Sequence, residues 1–416
     1  MSTTTPPVND ADRLHVLDVL RGIALVGMFF VHFSMYSSGG AAADQVYQRI
    51  VQLFFEERFW TMFGILFGVG FAIQLRRAEA RGGAFVPSYL RRMAALAGFG
   101  LIAHGIFGFN VLLGYALWGV PLLLVRRWST RALLVALVLS TISWNVYAIG
   151  RAAYSVATKG EVATRAALDS SAAEYRAFRE ANDKAKDATR YPVVLKARLA
   201  HMRWFYAQPY SFLPVNTFTL FLLGFIGLRL GVFDEPGKHK RLIVSLGVFG
   251  VLSWGFVMFV ADSLAPVTQG GLLRTMVLNR LQYGFSFLRD MWLSFAYIGV
   301  VLLLVARNRA WLTRLAMFAW TGRMALTNYM IQIAILDLTF AKYALGLTVT
   351  PLTGLTMAIA LFVVDALVSR WWLARFRYGP LEWLWRSITY AQWQPLRHSP
   401  DLTARQAGAL PRLVAP

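Results

Sequence analysis

The chain has 416 residues, of which 57% are hydrophobic and only 15% charged, and its mean hydropathy is +0.50. In soluble domains about a quarter of the residues are charged. The composition of this chain therefore excludes an ordinary soluble domain and indicates an integral membrane protein. The net charge of +21 fits loops rich in Lys and Arg that attract anionic lipid. No basic soluble face is evident, so nucleic acid is not an expected partner.

The residue types also limit the chemistry. The absence of cysteine excludes disulfides, cysteine-bound metals and a cysteine acyl-enzyme. The six histidines are scattered and form no HExxH or similar pair, so we expect neither a metal site nor a resident cofactor. No phosphate-binding loop occurs, so ATP-driven transport is not indicated.

The first apolar stretch, LDVLRGIALVGMFFVHF at 17–33, carries charged groups. Arg21 and His32 are eleven residues apart, which in a helix places them on one face about 16 Å apart along the axis. Asp18 lies one turn before Arg21 on the same side. Titratable groups in a membrane helix usually face a protein interior or a water-filled cavity. Asp18, Arg21 and His32 are therefore candidate catalytic residues, with His32 as a general base or nucleophile.

Apolar stretches long enough to cross a bilayer recur along the chain. SSGGAAAD after the first stretch resembles a signal-peptidase site, but the length and charges of that stretch favour an uncleaved span. An all-α polytopic membrane protein follows, with about ten transmembrane helices and a C-terminal interfacial helix. The spans are expected near 14–37, 57–75, 93–109, 111–125, 132–150, 211–230, 242–262, 284–306, 323–343 and 351–372.

Lys and Arg concentrate in alternate loops and in the tail after residue 372. The positive-inside rule places those segments and both termini in the cytoplasm of a bacterial inner-membrane protein. The resulting organisation is a cytoplasmic tail at 1–13, spans one to five in 14–150, an outer mixed-charge helical loop at 151–208, spans six to ten in 209–372, a cytoplasmic interfacial helix in 373–397 and a disordered tail at 398–416. The outer loop is either a solvated spacer or a cap over an outward-facing acceptor site.

Further polar groups are candidates for substrate binding. Glu57 precedes the second span, either as an ordinary helix start or as a partner for an imidazole. Arg91 and Arg92 open the third span, where arginines bind phosphates or anchor a helix. The stretch TGRMALTNYMIQ at 321–332 forms either an interhelical network or a cavity wall. Its candidate residues are Arg323, Thr327, Asn328 and Gln332.

Four motifs resemble the YeiB-like bacterial inner-membrane proteins, the domain-of-unknown-function-418 family. They follow the family's order and extend over nearly the whole chain, and the last two are the more specific. The motifs are LDVLRGIAL at 17–25, FGILFGVG at 63–70, GRMALTNYMIQ at 322–332 and YGPLEWLWRSITY at 378–390.

The family resembles a wider superfamily of transmembrane acyltransferases, which includes the acyltransferase-3 proteins and heparan-glucosaminide acetyltransferase. This resemblance implies acyl transfer from cytoplasmic acyl-CoA to an acceptor on the far side. Acyltransferase-3 members place a His eleven residues after the Arg of LD-x-x-RG, which corresponds to Arg21 and His32. YeiB-like proteins more often have Asn at the His32 position, and often an Asp where this chain has Asn110.

The leading hypothesis is a membrane-embedded acyltransferase that uses acyl-CoA and an extracytoplasmic or membrane acceptor. In it the cytoplasmic-side arginines hold the phosphates of acyl-CoA, and His32 deprotonates the acceptor or carries the acyl group. The alternative is a transporter or exporter of a small metabolite or lipid. A catalytically silent scaffold and a homodimer are also left open.

Overall fold

The computed structural model describes residues 15–108, 110–207, 215–261 and 271–398, and these residues form helices with one isolated β-bridge between Phe376 and Arg397. The predicted tails at 1–13 and, apart from His398, at 398–416 lie outside the described residues. The helices are α1 (His15–Tyr36), α2 (Ala42–Phe54), α3 (Arg58–Ala80), α4 (Phe85–Phe107), α5 (Leu112–Gly119), α6 (Leu122–Val125), α7 (Thr130–Lys159), α8 (Glu161–Lys186), α9 (Tyr191–Ala207), α10 (Val215–Arg229), α11 (Lys240–Ala261), α12 (Leu272–Arg307), α13 (Ala310–Arg314), α14 (Ala316–Arg323), α15 (Ala325–Phe340), α16 (Pro351–Leu373) and α17 (Pro380–Tyr390).

Six helical stretches of the described residues are long and apolar enough to cross a membrane. Four further apolar helices are shorter. Each of these stretches overlaps a predicted apolar stretch, and the described residues confirm an all-α protein with several apolar helices. The count of ten spans and the position of α17 at the membrane surface stay predictions. The shorter helices are Leu112–Val125, Asn216–Arg229, Met291–Arg307 and Ala325–Phe340.

The pair of spans predicted within 93–125 consists of one long helix and one short, broken helix. Helix α4 ends at Gly108, whose φ is 86°. At the start of α5, the Asn110 Oδ1 accepts a hydrogen bond from Leu113 N at 3.1 Å. The Asn110 Nδ2 donates to the Gly100 carbonyl of α4 at 2.9 Å. Together α5 and α6 are about 21 Å long, which is less than the ~30 Å hydrocarbon core.

The ninth predicted span, 323–343, begins with a break that the sequence analysis did not anticipate. Met324 separates α14 from α15, with φ −112° and ψ 30°. Helix α14 packs along α1, and α15 packs against α1, α4 and α17. The amphipathic helix α2 also lies outside the predicted spans, between α1 and α3.

Two helices are longer than a membrane span requires. Helices α7 and α12 have 30 and 36 residues, or about 45 and 54 Å, against a hydrocarbon core of ~30 Å. Helices α8 and α9 occupy the stretch 151–208 that we predict as a helical outer loop. They pack against α7 and α4, so this stretch forms a layer attached to the helix bundle.

A buried ion pair joins this outer layer to α15. Arg198 on α9 donates two hydrogen bonds to the Asp337 carboxylate, one of them at 3.1 Å, and the two side chains are only 6% and 7% exposed. Arg198 also donates to the Ile106 carbonyl, and the Tyr343 hydroxyl donates to Asp337. Burial alone lowers the pKa of Arg198, but the bonds to Asp337 outweigh it and raise that pKa. Both charges are thus compensated, as a buried pair requires.

Close helix crossings depend on glycine. A Cβ on Gly22 of α1 would lie 1.9 Å from the Phe318 carbonyl oxygen, and a Cβ on Gly322 of α14 would lie 1.9 Å from the Asp18 carbonyl oxygen. Helices α3 and α10 approach as closely at Gly68. Small residues at such crossings let backbones approach in membrane helices, where burial of apolar surface gives little drive for association.

We expect Gly22→Ala to lower the free energy of unfolding by roughly 1–3 kcal/mol, because the added methyl group overpacks the crossing of α1 and α14. The measurement is the thermal unfolding midpoint of the purified protein in detergent. Gly98→Ala is the matched control, since a Cβ there meets nothing within 4 Å. Equal midpoints for the two variants would contradict this account of the crossing.

Candidate functional site

A cavity of about 280 Å³ lies among α1, α3, α4, α5, α15 and α17, next to the end of α14. Charged side chains form part of its wall, and the arginines outnumber the carboxylates five to two. These side chains are Arg21, Arg77, Arg92, Arg323, Arg386, Asp18 and Glu382. Such an excess of positive charge in a concave site favours an anionic ligand.

The arginines come from helix ends that the Lys and Arg distribution assigns to the cytoplasmic side. Arg21 lies in the second turn of α1, Arg77 in the last turn of α3 and Arg92 in the second turn of α4. Arg323 ends α14, and Arg386 belongs to α17. The charged part of the cavity therefore faces the predicted cytoplasm.

The wall becomes apolar farther along the same helices. Met28 lies seven residues beyond Arg21 on α1, or about 10 Å, and Phe63 lies fourteen residues before Arg77 on α3, or about 21 Å. The cavity thus suits a ligand with an anionic end and an apolar or weakly polar arm. The side chains of this deep wall are Met28, Phe63, Leu66, Phe67, Tyr115 and Tyr329.

Aromatic rings and one carboxylate hold several arginines in place. Arg21 donates to Asp18 at 3.1 Å, and Asp18 is almost fully buried. The Arg92 guanidinium lies 4.0 Å from the centre of the Trp385 ring, whose Nε1 donates to the Arg92 carbonyl at 2.9 Å. Among the described residues, the buried Nε of Arg92 has no hydrogen-bond partner. An arginine beside a cavity with an unsatisfied donor is typical of an anion site.

Helices α15 and α17 cap each other's first turns. The Glu382 carboxylate accepts from Leu326 N at 2.6 Å and from Thr327 N at 3.0 Å. It also accepts from the Thr327 hydroxyl at 2.6 Å, and that hydroxyl accepts from Leu381 N at 3.1 Å. Burial raises the pKa of the Glu382 carboxyl, although the hydrogen bonds from Thr327 and Leu326 oppose this rise. A Cβ on Gly379 would lie 2.1 Å from Glu382 Oε2, so these hydrogen bonds between α15 and α17 require glycine at position 379.

Other predicted residues join helices and do not line the cavity. Arg91 Nε donates to the Thr389 carbonyl at 3.0 Å, which ties α4 to α17. Asn328 donates to Ser369 Oγ at 2.9 Å and to the Thr321 carbonyl at 3.2 Å, which ties α15 to α16 and α14. For these residues and for Thr327 the structure favours the interhelical network over the cavity wall.

Glu57 lies at the start of α3, about 30 Å along that helix from Arg77. Its φ of 67° is in the left-handed region, and its carboxylate accepts from Trp60 Nε1. Glu57 does not line the cavity.

His32 and Gln332 meet one helical turn beyond the deep wall. His32 Nδ1 lies 3.3 Å from Gln332 Nε2, and both side chains are buried. Met28 precedes His32 by four residues on α1, and Tyr329 precedes Gln332 by three on α15. Neither side chain lines the cavity, but each lies about one helical turn from a wall residue of its own helix.

Comparison with known proteins gives the family. Residues 228–392 match the family described as Protein of unknown function (DUF418). The chain is 31% identical to the uncharacterized protein YxaH of Bacillus subtilis (strain 168), over 95% of this chain and 98% of that protein. The chain belongs to the DUF418 family.

Two further relatives of this DUF418 protein are bacterial. It is 28% identical to an uncharacterized protein from the amylase 3' region of Bacillus acidopullulyticus, over 94% of this chain and 97% of that protein. It is also 42% identical to the uncharacterized protein YeiB of Escherichia coli (strain K12) over 71 residues, or 17% of this chain and 18% of YeiB. No solved structure matches the chain.

The N-terminal part of the DUF418 protein matches a second family. Residues 13–158 are similar to the catalytic domain of heparan-alpha-glucosaminide N-acetyltransferase, which relates this part to a family of membrane acetyltransferases. The cavity combines both matched parts, because α1, α3, α4 and α5 lie within 13–158 and α14, α15 and α17 lie within 228–392. All four sequence motifs contribute wall residues to it.

Three charged wall residues, Arg77, Glu382 and Arg386, are not among the site residues predicted from the sequence. Their closeness to the sequence motifs could have indicated them. Arg77 follows the motif at 63–70, and Glu382 and Arg386 lie within the motif at 378–390.

We expect Thr327→Val to lower the free energy of unfolding by roughly 2 kcal/mol, because it removes a donor to buried Glu382 and an acceptor for Leu381 N. Thermal unfolding of the purified protein measures this. Thr356→Val is the matched control, since that exposed hydroxyl bonds only to the Leu352 carbonyl of its own helix. If Thr356→Val is as unstable as Thr327→Val, the hydrogen bonds between α15 and α17 have no special role in stability.

Proposed function

We propose that this protein is a membrane acyltransferase whose cavity binds an acyl-CoA donor from the cytoplasmic side. The observation that carries the proposal is the cavity itself, with arginines at one end and an apolar wall at the other. The similarity of residues 13–158 to a membrane acetyltransferase catalytic domain supports it.

The charge pattern of the cavity matches that of the proposed donor. The phosphates of CoA are multiply charged, and arginine is the residue that best binds phosphate oxygens. Arg92 offers a buried donor without a partner, and Arg21 lies on the neighbouring helix α1. The thioester arm then extends along Met28 toward His32. A concave site with arginines concentrated at one end favours donor binding over a transport pathway.

The proposed chemistry uses His32 as a general base. The acceptor hydroxyl or amine attacks the thioester carbonyl, and His32 takes the acceptor proton as the new C–O or C–N bond forms. The C–S bond then breaks, and the proton passes from His32 to the leaving sulfur, which gives the CoA thiol. The acceptor is a hydroxyl or amine compound that reaches His32 from the outer side or from the membrane.

Arg92→Ala is expected to weaken binding of acetyl-CoA by about tenfold or more, because a charge-assisted hydrogen bond contributes roughly 1.5–3 kcal/mol. Arg21→Ala is expected to act in the same direction. Calorimetric titration of the purified protein in detergent with acetyl-CoA, and with a longer acyl-CoA, measures this.

The matched control is Arg375→Ala, a cytoplasmic-side arginine over the Trp371 ring that does not line the cavity. Its binding of acetyl-CoA is expected to equal that of the wild type. Folded wild-type protein that binds no acyl-CoA would overturn the proposed function.

His32→Ala is expected to abolish acyl transfer and leave acetyl-CoA binding unchanged, because His32 lies beyond the wall of the donor cavity. Transfer of radiolabelled acetyl groups by membranes or proteoliposomes to endogenous acceptors measures activity. Transfer by His32→Ala at the wild-type rate would refute the role of His32 as base.

A further inference from the structure

The amide of Gln332 ends in an unsatisfied atom at the centre of the protein. Gln332 is 1% exposed, and its Nε2 lies 3.3 Å from His32 Nδ1. Its Oε1 is buried, and no hydrogen-bond partner for it occurs in the described part of the chain. A buried carbonyl without a partner costs about 1–3 kcal/mol, so this atom requires an explanation.

The two ends of a primary amide exchange places when the group turns by 180°, and the choice decides which nitrogen of His32 is protonated. With the NH2 toward Nδ1, the neutral imidazole must carry its proton on Nε2, which then cannot accept another. With Oε1 toward Nδ1, the proton is held on Nδ1, and Nε2 is left as the basic nitrogen.

The proposed donor favours the second orientation. In either orientation one end of the amide lacks a hydrogen-bond partner in the described part of the chain, and Tyr329, which precedes Gln332 by about one turn, lines the cavity. A thioester offers a carbonyl oxygen, which accepts hydrogen bonds and does not donate them. It therefore pairs with the amide NH2 and leaves Oε1 for His32 Nδ1.

We propose that Gln332 is a positioning residue that holds the proton of His32 on Nδ1 and so leaves Nε2 as the base for acyl transfer. This inference rests on the proposed function. The bond from Nδ1–H to Oε1 also persists when Nε2 takes the acceptor proton, so the imidazolium keeps its orientation during the reaction.

The test is nitrogen NMR of protein labelled with 15N-histidine, with saturating acetyl-CoA and without it. The chain has only six histidines, and the spectrum of His32→Asn assigns the His32 signals by their loss. We expect the Nδ1–H tautomer of His32 in the wild-type protein with acetyl-CoA. The Nε2–H tautomer under that condition would overturn the proposal without any variant.

Variants separate positioning from packing. In Gln332→Glu the carboxylate still accepts from Nδ1–H, so we expect the wild-type tautomer and measurable transfer. In Gln332→Leu we expect a loss of the Nδ1–H preference and a fall in kcat of about a hundredfold or more, because an orienting partner of a catalytic histidine has effects of this order. The buried Thr339→Val on the same helix is the control, and its His32 tautomer is expected to be that of the wild type.

The outcomes of these experiments distinguish the role of Gln332 from the proposed acyltransferase function. If the wild-type protein binds and transfers acetyl groups but His32 carries its proton on Nε2, the role of Gln332 is wrong and the proposed function stands. If no acyl-CoA binds, the proposed function fails, and with it the reason for the orientation of the amide.

Discussion

The hydrogen-bond exchange between Thr327 and Glu382 is the interaction on which the candidate site depends. It fixes α15, which carries Tyr329 and Gln332, to α17, which brings Arg386 and Trp385 to the cavity. A carboxylate that accepts two backbone N–H groups at a helix start satisfies donors that would otherwise be orphaned at low dielectric. Two motifs whose paired residues, Thr327 and Glu382, are 55 positions apart in the chain thereby contribute to one wall.

The arginines of that wall repel one another, and the surrounding structure holds them at close range. Asp18 offsets Arg21, and the Trp385 ring offsets Arg92 without consuming its hydrogen-bond donors. Phosphate binding requires this combination, since a guanidinium with all its donors paired to carboxylates has none left for a ligand. The close crossing of α1 and α14 adds further charged groups to this wall, because it brings both Asp18 and Arg323 to the cavity.

Most of the fold could be predicted from the sequence, because long apolar stretches separated by basic loops mark membrane helices directly. The break at Met324 could not, because the apolar stretch continues through it. The amphipathic helix α2 was missed because the prediction relied on long apolar stretches, whereas α2 alternates polar and apolar residues with helical periodicity. In the site, Arg21, Arg92 and Arg323 were predicted as site residues and lie in the cavity wall. Neighbouring polar residues of one helix can face different partners, as Thr327, Asn328 and Gln332 do with α17, α16 and α1. Helical periodicity predicts the direction in which each side chain leaves the helix axis. It does not predict which neighbouring helix lies in that direction.

Helix α15 is clamped at both of its ends. Glu382 holds its first turn on the predicted cytoplasmic side, and Arg198 holds Asp337 in its last turn on the outer side. One α-helix of sixteen residues is a stiff rod of about 24 Å. A displacement of the outer layer through Arg198 is therefore transmitted as a shift of Gln332 and Tyr329. Helix α15 thus links the layer of α8 and α9 to the cavity wall as one stiff element.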